Sequence, residues 1–401
     1  MAELVTHDVD GLLFEAGDAG ALAYQLRRLQ HQPGLLDQLR DRLTTPRTID
    51  EEAVGLRDIY SRLTAQAVAT VGAAPRLAAP TDLVAQVTAV VVDYGTPEQT
   101  WLAVRSIASS FGPATKIVVV ANGAPAGNRH LRERLGLVCT DGEPEPGAHR
   151  RDSEGDVHLL AAGRNLGFSG GVNLAIAAAL REHAEFVLLV NSDAVLAPDA
   201  IGHLLAAAAA YPEAGVFAPL IVSREEPDWI VSAGIEYSKA TGRMRNLLTS
   251  RPLAEAPSRP RSVTAVTGCV MLIRRSVLAA AGLFDEAYFF SFEDVDFCLR
   301  ARAAGFEVLC VPEARAWHEG GRSIGRRSPR RIYFATRNHL RLTARLERRR
   351  WRRTMTAGAV LALNTAYVLT SPDAPLWAGL AAVIRGTWHH LLDRYGPDPA
   401  A

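Results

Sequence analysis

The stretch that decides the fold is Val187-Leu188-Leu189-Val190-Asn191-Ser192-Asp193. Its four apolar residues predict a buried parallel strand, and the polar triplet follows at the strand's carboxyl end. Open α/β sheets bind ligands just beyond that end. Asp193 therefore stands where a carboxylate can hold a divalent cation that bridges a diphosphate. Taken alone, the triplet is also typical of a helix cap after a strand.

Two later motifs supply the other groups that metal-assisted sugar transfer needs. In Glu293-Asp294-Val295-Asp296 a carboxylate can take a proton from an attacking hydroxyl, and the histidine of Trp317-His318 can complete a cation's shell. Phe290 and Phe292 precede the acids, and burial among aromatic rings would raise a carboxylate's pKa. The plain alternatives are an acidic first helical turn and a structural histidine. The order and company of the three motifs favour the chemical interpretation.

A glycine-rich turn from Gly163 to Asn173 leads into a predicted helix. Glycines let backbone N–H groups approach a phosphate or ribose, and a helix N-terminus favours negative charge. The spacing matches neither a dinucleotide fingerprint nor a P-loop, so a plain tight turn is the alternative.

Composition limits the class of protein. The chain has 401 residues and a net charge of +1, which gives no indication of nucleic-acid binding. Its four cysteines form no metal or disulfide pattern, which fits a reducing cytosol. The N-terminus lacks the features of a secretory signal, so we expect a cytoplasmic protein.

The pattern along the chain predicts four segments. Residues 1–65 read as a short strand at Gly11–Phe14, then helices capped first by Asp18 and including one at Ile49–Leu63, and residues 66–86 read as an Ala- and Pro-rich linker. Residues 87–346 alternate strands with helices, which predicts a mostly parallel sheet covered by helices, with a mobile loop at Thr140–Asp156. Among these elements we expect helices at Val172–Arg181 and Arg275–Ala281 and a last strand at Val308–Val311. Residues 347–401 are basic and then apolar.

The C-terminal segment carries the membrane question. Arginines crowd residues 341–353, and the uncharged Met355–Ser371 stretch follows. That stretch is short of the roughly 20 residues a membrane span needs. The arginines are typical either of a solvated helix face or of contact with an anionic membrane surface.

With these residues in view, Val87–Leu346 resembles the family 2 glycosyltransferases of GT-A fold, and most of all their bacterial rhamnosyl- and galactofuranosyl-transferase-like branch. The matching pieces run in family order: Val91-Val92-Asp93-Tyr94, Val119-Val120-Ala121-Asn122, the glycine-rich turn, Asn191-Ser192-Asp193, Thr267-Gly268-Cys269-Val270-Met271, Gly282-Leu283-Phe284-Asp285-Glu286, Glu293-Asp294-Val295-Asp296, Arg302-Ala303-Ala304-Gly305, Trp317-His318 and Arg337-Asn338.

The resemblance implies a role for each site residue. Asp193 would be the last carboxylate of the family's D-x-D motif and would hold Mg²⁺ or Mn²⁺, with His318 as a further ligand. Asp294 would be the catalytic base of a single displacement with inversion. The other implied donor-binding residues are Tyr94, Asn122, Arg164, Asn165, Gly167, Asn173 and Ser192, and the acceptor side would include Glu293, Trp317 and Arg337.

Two departures from the family pattern leave the donor open between dTDP and UDP sugars. Asn191 stands where many members have aspartate, and Ala121 replaces an aspartate that often contacts the base. The N-terminal segment instead resembles the tail of a family 4, GT-B glycosyltransferase, in Glu3-Leu4-Val5, in Gly11 to Asp18 and in Pro46 to Asp50. Only the last stretch of that fold is present, so we expect no second activity.

The sequence thus predicts an inverting, metal-dependent glycosyltransferase, peripheral at the inner face of the cell membrane, that acts on a glycan or lipid-linked acceptor. The alternative is a catalytically silent sugar-nucleotide-binding or scaffolding protein, against which the retention of Asp193, Asp294 and His318 argues. A membrane-spanning synthase would require several long apolar spans, and the sequence lacks them.

Overall fold

The computed structural model describes residues 11–14, 18–32, 34–41, 86–111, 115–123, 128–137, 148–152, 155–239, 241–318, 328–347, 349–370 and 376–398. Contacts between residues divide the chain into two units at Arg76/Leu77, inside the predicted 66–86 linker.

The N-terminal unit contains helices α1 (Ala19–His31) and α2 (Leu35–Asp41). Asp18 caps α1, because its Oδ1 accepts hydrogen bonds from the backbone N–H groups of Gly20 and Ala21 at 2.8 and 2.9 Å. The predicted cap is therefore confirmed. The predicted strand at Gly11–Phe14 is wrong, since only Gly11 forms a bridge there. The predicted Ile49–Leu63 helix lies outside the described residues.

The second unit alternates strands and helices. Its first part is β1 (Val87–Asp93), α3 (Pro97–Ala108), β2 (Lys116–Ala121), α4 (Asn128–Arg134), β3 (Ala148–Asp152), β4 (Gly155–Ala161), α5 (Gly167–Arg181), β5 (Phe186–Asn191), β6 (Ala194–Leu196), α6 (Ala200–Ala210) and β7 (Ala214–Ser223). There follow β8 (Trp229–Ser232), β9 (Ile235–Tyr237), β10 (Met244–Asn246), β11 (Arg251–Pro252), β12 (Arg261–Ser262), β13 (Val270–Arg274), α7 (Arg275–Ala281), α8 (Glu293–Ala303), β14 (Glu307–His318), α9 (Pro329–Leu346), α10 (Arg350–Thr370) and α11 (Leu376–Leu391).

The centre of the sheet is parallel. Strands β4, β2, β1 and β5 lie side by side in the same direction, and β13 follows antiparallel between β5 and β7. Every residue of β1 is buried, and apolar clusters cover both faces of the sheet, as parallel strands require. The predicted α/β architecture is confirmed.

Three local predictions need correction. The Thr140–Asp156 loop is in part a hairpin, because β3 pairs with β4 and β4 extends the parallel sheet beside β2. Helix α5 begins at Gly167, not at Val172, so its glycines lie inside the first turns. The last strand does not end at Val311, since β14 continues past a register shift to His318.

The C-terminal helices complete the unit. Ser328 caps α9 by accepting a hydrogen bond from the backbone N–H of Arg331 at 3.2 Å. Within the described ranges, no helix is long and apolar enough to cross a membrane.

Candidate active site

Strand pairing brings the first and third sequence motifs together. Strands β6 and β14 run antiparallel, with Ala194 opposite His318. Asp193 directly precedes β6, so its Oδ1 lies 3.1 Å from His318 Nε2, and the two side chains are only 12% and 16% exposed. Both residues were predicted to share a metal site, but they are far apart in sequence, so their direct contact could not be predicted from a local pattern.

The two side chains form an ion pair in this structure. Burial raises the pKa of Asp193, but the hydrogen bond and charge of His318 outweigh it and leave that pKa below its ordinary value. Burial likewise lowers the pKa of His318, whereas the neighbouring Cys269 and Asp193 raise it to a net value of about 11. The site therefore pairs a carboxylate with an imidazolium, and a cation bound by both residues would displace the imidazolium proton, because only a neutral imidazole ligates a metal.

The chemistry of these donors fits a hard divalent cation. Asn191 Oδ1 is buried and has no hydrogen-bond partner among the described residues, so it adds an unused oxygen two residues before Asp193. No group of three or more His, Cys, Asp or Glu that could hold a metal occurs in the described part of the chain. Mg²⁺ is usually held by one or two carboxylates, substrate phosphates and water, so a sparse protein shell suffices.

The acidic motif opens α8, and Asp294 is fixed by backbone groups. Its Oδ2 accepts a hydrogen bond from the N–H of Gly268 and its Oδ1 one from the N–H of Val295, both at 2.8 Å. Burial raises the pKa of Asp294 more than these hydrogen bonds lower it. The result is an oriented carboxylate with increased basicity.

Glu293 and Asp296 have different surroundings. Glu293 is 6% exposed, and its Oε2 has no hydrogen-bond partner among the residues described. Burial first, and then the charge of Asp294, raise the pKa of Glu293 to about 8. Asp296 accepts hydrogen bonds from Tyr288 Oη at 3.2 Å and from Arg300 Nε at 2.7 Å, so it is a structural residue.

A dipeptide links the acidic motif to the Asp193–His318 pair. Gly268 donates to Asp294, and the next residue, Cys269, interacts through its side chain with His318 and accepts the N–H of Asn191 at its carbonyl, at 2.8 Å. The three predicted motifs therefore meet around Gly268-Cys269. The sequence had marked this dipeptide only as part of a family match, without a role.

The backbone before the acidic motif is left-handed and is held by side chains of α9, chiefly Asn338 and also Arg337, which donates to the Tyr288 carbonyl at 3.3 Å. Phe289, Ser291 and Phe292 have φ values of 59°, 68° and 73°, an unfavourable region for bulky residues. Asn338 Nδ2 on α9 lies 2.7, 2.7 and 2.9 Å from the carbonyl oxygens of Tyr288, Phe290 and Ser291. Asn338 thus positions the start of α8, a role that no sequence pattern signalled.

Several predicted donor-binding residues shape the glycine-rich turn. Asn122 is buried, accepts the N–H of Leu166 at 2.8 Å and donates to the carbonyl of Gly167 at 2.9 Å. Asn165 Oδ1 also accepts the N–H of Gly167. At Gly167 φ is +74°, and a Cβ there would lie 2.5 Å from Phe289, so only glycine fits.

The remaining predicted donor residues are two that hydrogen-bond within the fold and two that are exposed. Asn173 is buried and exchanges hydrogen bonds with the backbone of Phe284. Ser192 Oγ accepts a hydrogen bond from Thr96 Oγ1 at 3.2 Å. Tyr94, at the end of β1, and Arg164 are exposed and so are accessible to a ligand.

On the predicted acceptor side, Trp317 is half-buried at the end of β14, whereas Arg337 is fully buried. The Arg337 guanidinium donates to Tyr333 Oη and to the carbonyl of Gly396. The structure therefore gives Arg337 no access to an acceptor, because its donors are used within the fold, including a hydrogen bond to the carbonyl of Tyr288.

Comparison with known proteins gives a family match. The family model described as "Glycosyltransferase like family 2" matches residues 85–354, which is more than half of the chain.

Individual relatives agree with that match. The chain is 34% identical over 208 residues to N-acetylglucosaminyl-diphospho-decaprenol L-rhamnosyltransferase of Mycobacterium tuberculosis (strain ATCC 25618 / H37Rv), covering 47% of this chain and 66% of the relative. It is 25% identical over 193 residues to dTDP-rhamnosyl transferase RfbF of Shigella flexneri, covering 45% and 61%. The chain thus spans slightly less than two thirds of these relatives. A crystal structure of GalNAc-T7 with UDP, GalNAc and Mn²⁺ shares the fold, with a TM-score of 0.50 and 15% identity over 78% of this chain and 57% of that one.

Proposed function

Because the chain belongs to the glycosyltransferase-like family 2, we propose that it transfers a rhamnose- or galactofuranose-like sugar from a nucleoside diphosphate to a cell-envelope glycan or lipid-linked acceptor. The observation that carries the proposal is the meeting of Asp193, His318 and Asp294 around Gly268-Cys269. The M. tuberculosis relative is named for rhamnose transfer to a diphospho-decaprenol acceptor, which supports this substrate class.

In the mechanism that we propose, the metal-binding residues are Asp193, His318 and Asn191. A bound Mg²⁺ or Mn²⁺ would neutralise charge on the donor diphosphate. The exposed Tyr94 would contact the nucleotide and the exposed Arg164 the phosphates, with dTDP or UDP as the carrier.

Asp294 is the proposed general base. Backbone hydrogen bonds to both of its oxygens fix the carboxylate, and its raised pKa favours acceptance of a proton from the acceptor hydroxyl. The deprotonated oxygen attacks the anomeric carbon, and the bond from that carbon to the diphosphate breaks. One such displacement inverts the anomeric configuration. Glu293 is adjacent in sequence to the proposed base Asp294, and Trp317 is adjacent to the proposed metal ligand His318. We assign Glu293 and Trp317 to the acceptor side.

The decisive experiment is a transfer assay with the purified chain. dTDP-rhamnose and UDP-galactofuranose are supplied in turn, with Mn²⁺ or with EDTA, and a polyprenyl-diphosphate-linked N-acetylglucosamine serves as acceptor. We expect metal-dependent formation of one disaccharide product with inverted configuration. Donor-induced thermal stabilisation without transfer to any envelope acceptor would instead support a silent sugar-nucleotide-binding protein.

A further inference from the structure

We propose that the outward face of α11, together with the cationic start of α10, docks this protein on an anionic membrane surface by lying flat among the lipid headgroups. Only the role of docking rests on the proposed function, because docking would bring the active site to an envelope acceptor. Binding itself is measurable without donor or acceptor.

The docking face is an uninterrupted apolar stripe. Trp377, Ile384, Trp388 and Leu391 are 81%, 70%, 58% and 70% exposed, respectively. Their spacing places them on one side of the helix, with the exposed Ala381 between them. From Trp377 to Leu391 the stripe is about 21 Å long at ~1.5 Å per residue. Large apolar side chains exposed in a row mark an interaction surface.

The opposite face of α11 is locked, so the helix cannot turn to hide the stripe. Gly379, Ala382, Val383 and Gly386 are buried on that face. A Cβ on Gly386 would lie 2.7 Å from the carbonyl oxygen of Tyr333 on α9, so the two backbones are in close contact. Exposure of the stripe is therefore a fixed property of the packing.

The stripe continues into a groove shared with α10. The groove has a volume of about 350 Å³ and is lined by Leu361, Thr365, Val383, Ile384, Thr387, Trp388 and Leu391. Its mostly apolar lining extends the stripe across both helices and widens the surface that lipid can cover.

Charge decides which partner fits this surface. Neither α10 nor α11 contains an aspartate or glutamate, whereas Arg350, Arg352 and Arg353 are exposed at the start of α10. The pKa of His390 is lowered first by burial and then by the positive charge of Arg353. Arg353 therefore lies near His390, and the cations lie at the Leu391 end of the stripe. Apolar and tryptophan side chains on one face with arginines beside them characterise helices that lie in a membrane interface.

A second copy of the chain fits the surface less well than lipid. Helices α10 and α11 of a partner would present the same arginines and no carboxylate, and Asp393 just beyond α11 cannot balance three arginines, while anionic headgroups supply the missing charge. The structure also shortens the cationic stretch that the sequence indicated over residues 341–353. Arg341 and Arg345 pair with Asp285, so the surface uses only the arginines from Arg349 onward.

The test is co-sedimentation of the full chain with vesicles of equimolar phosphatidylglycerol and phosphatidylcholine. Wild type should bind, and binding should weaken as salt rises. Trp377→Ser combined with Trp388→Ser should weaken binding roughly a hundredfold, about tenfold for each large apolar side chain withdrawn from the lipid. Replacing Arg350, Arg352 and Arg353 with glutamine should weaken it roughly fivefold for each cation.

Trp229→Ser is the matched control, because Trp229 is also exposed but lies on β8, away from the stripe. It should bind vesicles like wild type, and unchanged circular dichroism should show that every variant folds. Equal binding by the double tryptophan variant and wild type would overturn the proposal. So would binding confined to vesicles that contain polyprenyl phosphate, or a concentration-dependent dimer that the double variant abolishes. Transfer activity on a short soluble acceptor should stay unchanged in this variant, which separates docking from catalysis.

Discussion

The candidate active site buries charged side chains, whereas the α10–α11 surface exposes apolar ones, and both reverse the usual preference. Around α8, carboxylates are buried, and Glu293 Oε2 lacks a partner among the described residues. On α11, two tryptophans and two large aliphatic side chains face outward. Polar groups in apolar surroundings and apolar groups in water both reduce stability. Under our two proposals, each of these costs would be offset by something outside the chain, a reacting hydroxyl in one case and a lipid surface in the other.

The largest effect should come from breaking the buried half of this comparison. Asp294→Asn keeps the size of the side chain but removes the base, so transfer should fall by about 10²–10⁴-fold. Donor affinity, measured by calorimetry with Mn²⁺, should stay close to wild type. Asp199→Asn, at an exposed position before α6, is the control. Transfer within a few-fold of wild type would remove Asp294 from the role of base.

The next effect concerns the proposed metal ligands. Asp193→Ala should weaken metal-dependent binding of the nucleoside diphosphate by roughly 10–100-fold, the range typical when support of a metal site is lost. His318→Ala should have a smaller effect, because the carboxylate supplies the charge that a hard cation prefers. Calorimetry in Mn²⁺ and in EDTA measures both, and equal affinity of Asp193→Ala and wild type in Mn²⁺ would contradict the assignment.

A smaller effect should follow from loosening the acidic motif without touching its carboxylates. Asn338→Ala leaves the carbonyls of Phe290 and Ser291 without this donor, whereas the Tyr288 carbonyl still accepts from Arg337, and the expected cost is about 1–3 kcal/mol. If Asn338 positions Asp294, kcat should fall more than donor KM rises. Asn364→Ala is a suitable control, since Asn364 Nδ2 on α10 is buried without a partner among the described residues. A loss of stability with unchanged kcat would restrict Asn338 to a structural role.

The smallest expected effect is on stability as a function of pH. The pKa of Glu293 is raised from 4.5 to about 8 by burial, so the folded state keeps a proton that the unfolded state releases. Stability from this group is complete below the ordinary pKa and is lost as pH rises towards 8. Glu293→Gln should therefore have a higher Tm than wild type above pH 8. The difference should be about 2–4 °C for each kcal/mol of unfolding free energy that ionisation of Glu293 costs the wild type. A Tm difference that does not grow from pH 5 to pH 9 would show that Glu293 ionises without cost.

Much of the fold could be predicted from the sequence because apolar runs and turn signals are local. The ends of strand β5 and helix α7 were predicted to within one residue, and the polar triplet was correctly placed at the carboxyl end of β5. Strand β3 was missed because it borders a segment rich in Gly, Pro and charge, and its place depends on pairing with β4. Pairing partners distant in sequence leave no local pattern.

The residues that meet in the candidate site could be named from the sequence, but the groups that support them could not. Asp193 and His318 were named together from the resemblance, and β6–β14 pairing brings them into contact. The backbone N–H of Gly268 and the amide of Asn338 hold the acidic motif, and neither role follows from residue type. Arg337 shows the reverse case, since a motif match suggested substrate contact where packing requires burial.

Helix α9 has a consequence for the geometry of acceptor selection. Asn338 on this helix holds the backbone before Asp294, and Tyr333 on the same helix packs directly against Gly386 of α11. Helix α9 therefore connects the proposed base to the apolar stripe of α11. If the stripe docks on a bilayer as we propose, α9 would hold Asp294 at a constant height above the lipid. That height would favour acceptors whose reactive hydroxyl lies at a matching distance from their lipid anchor.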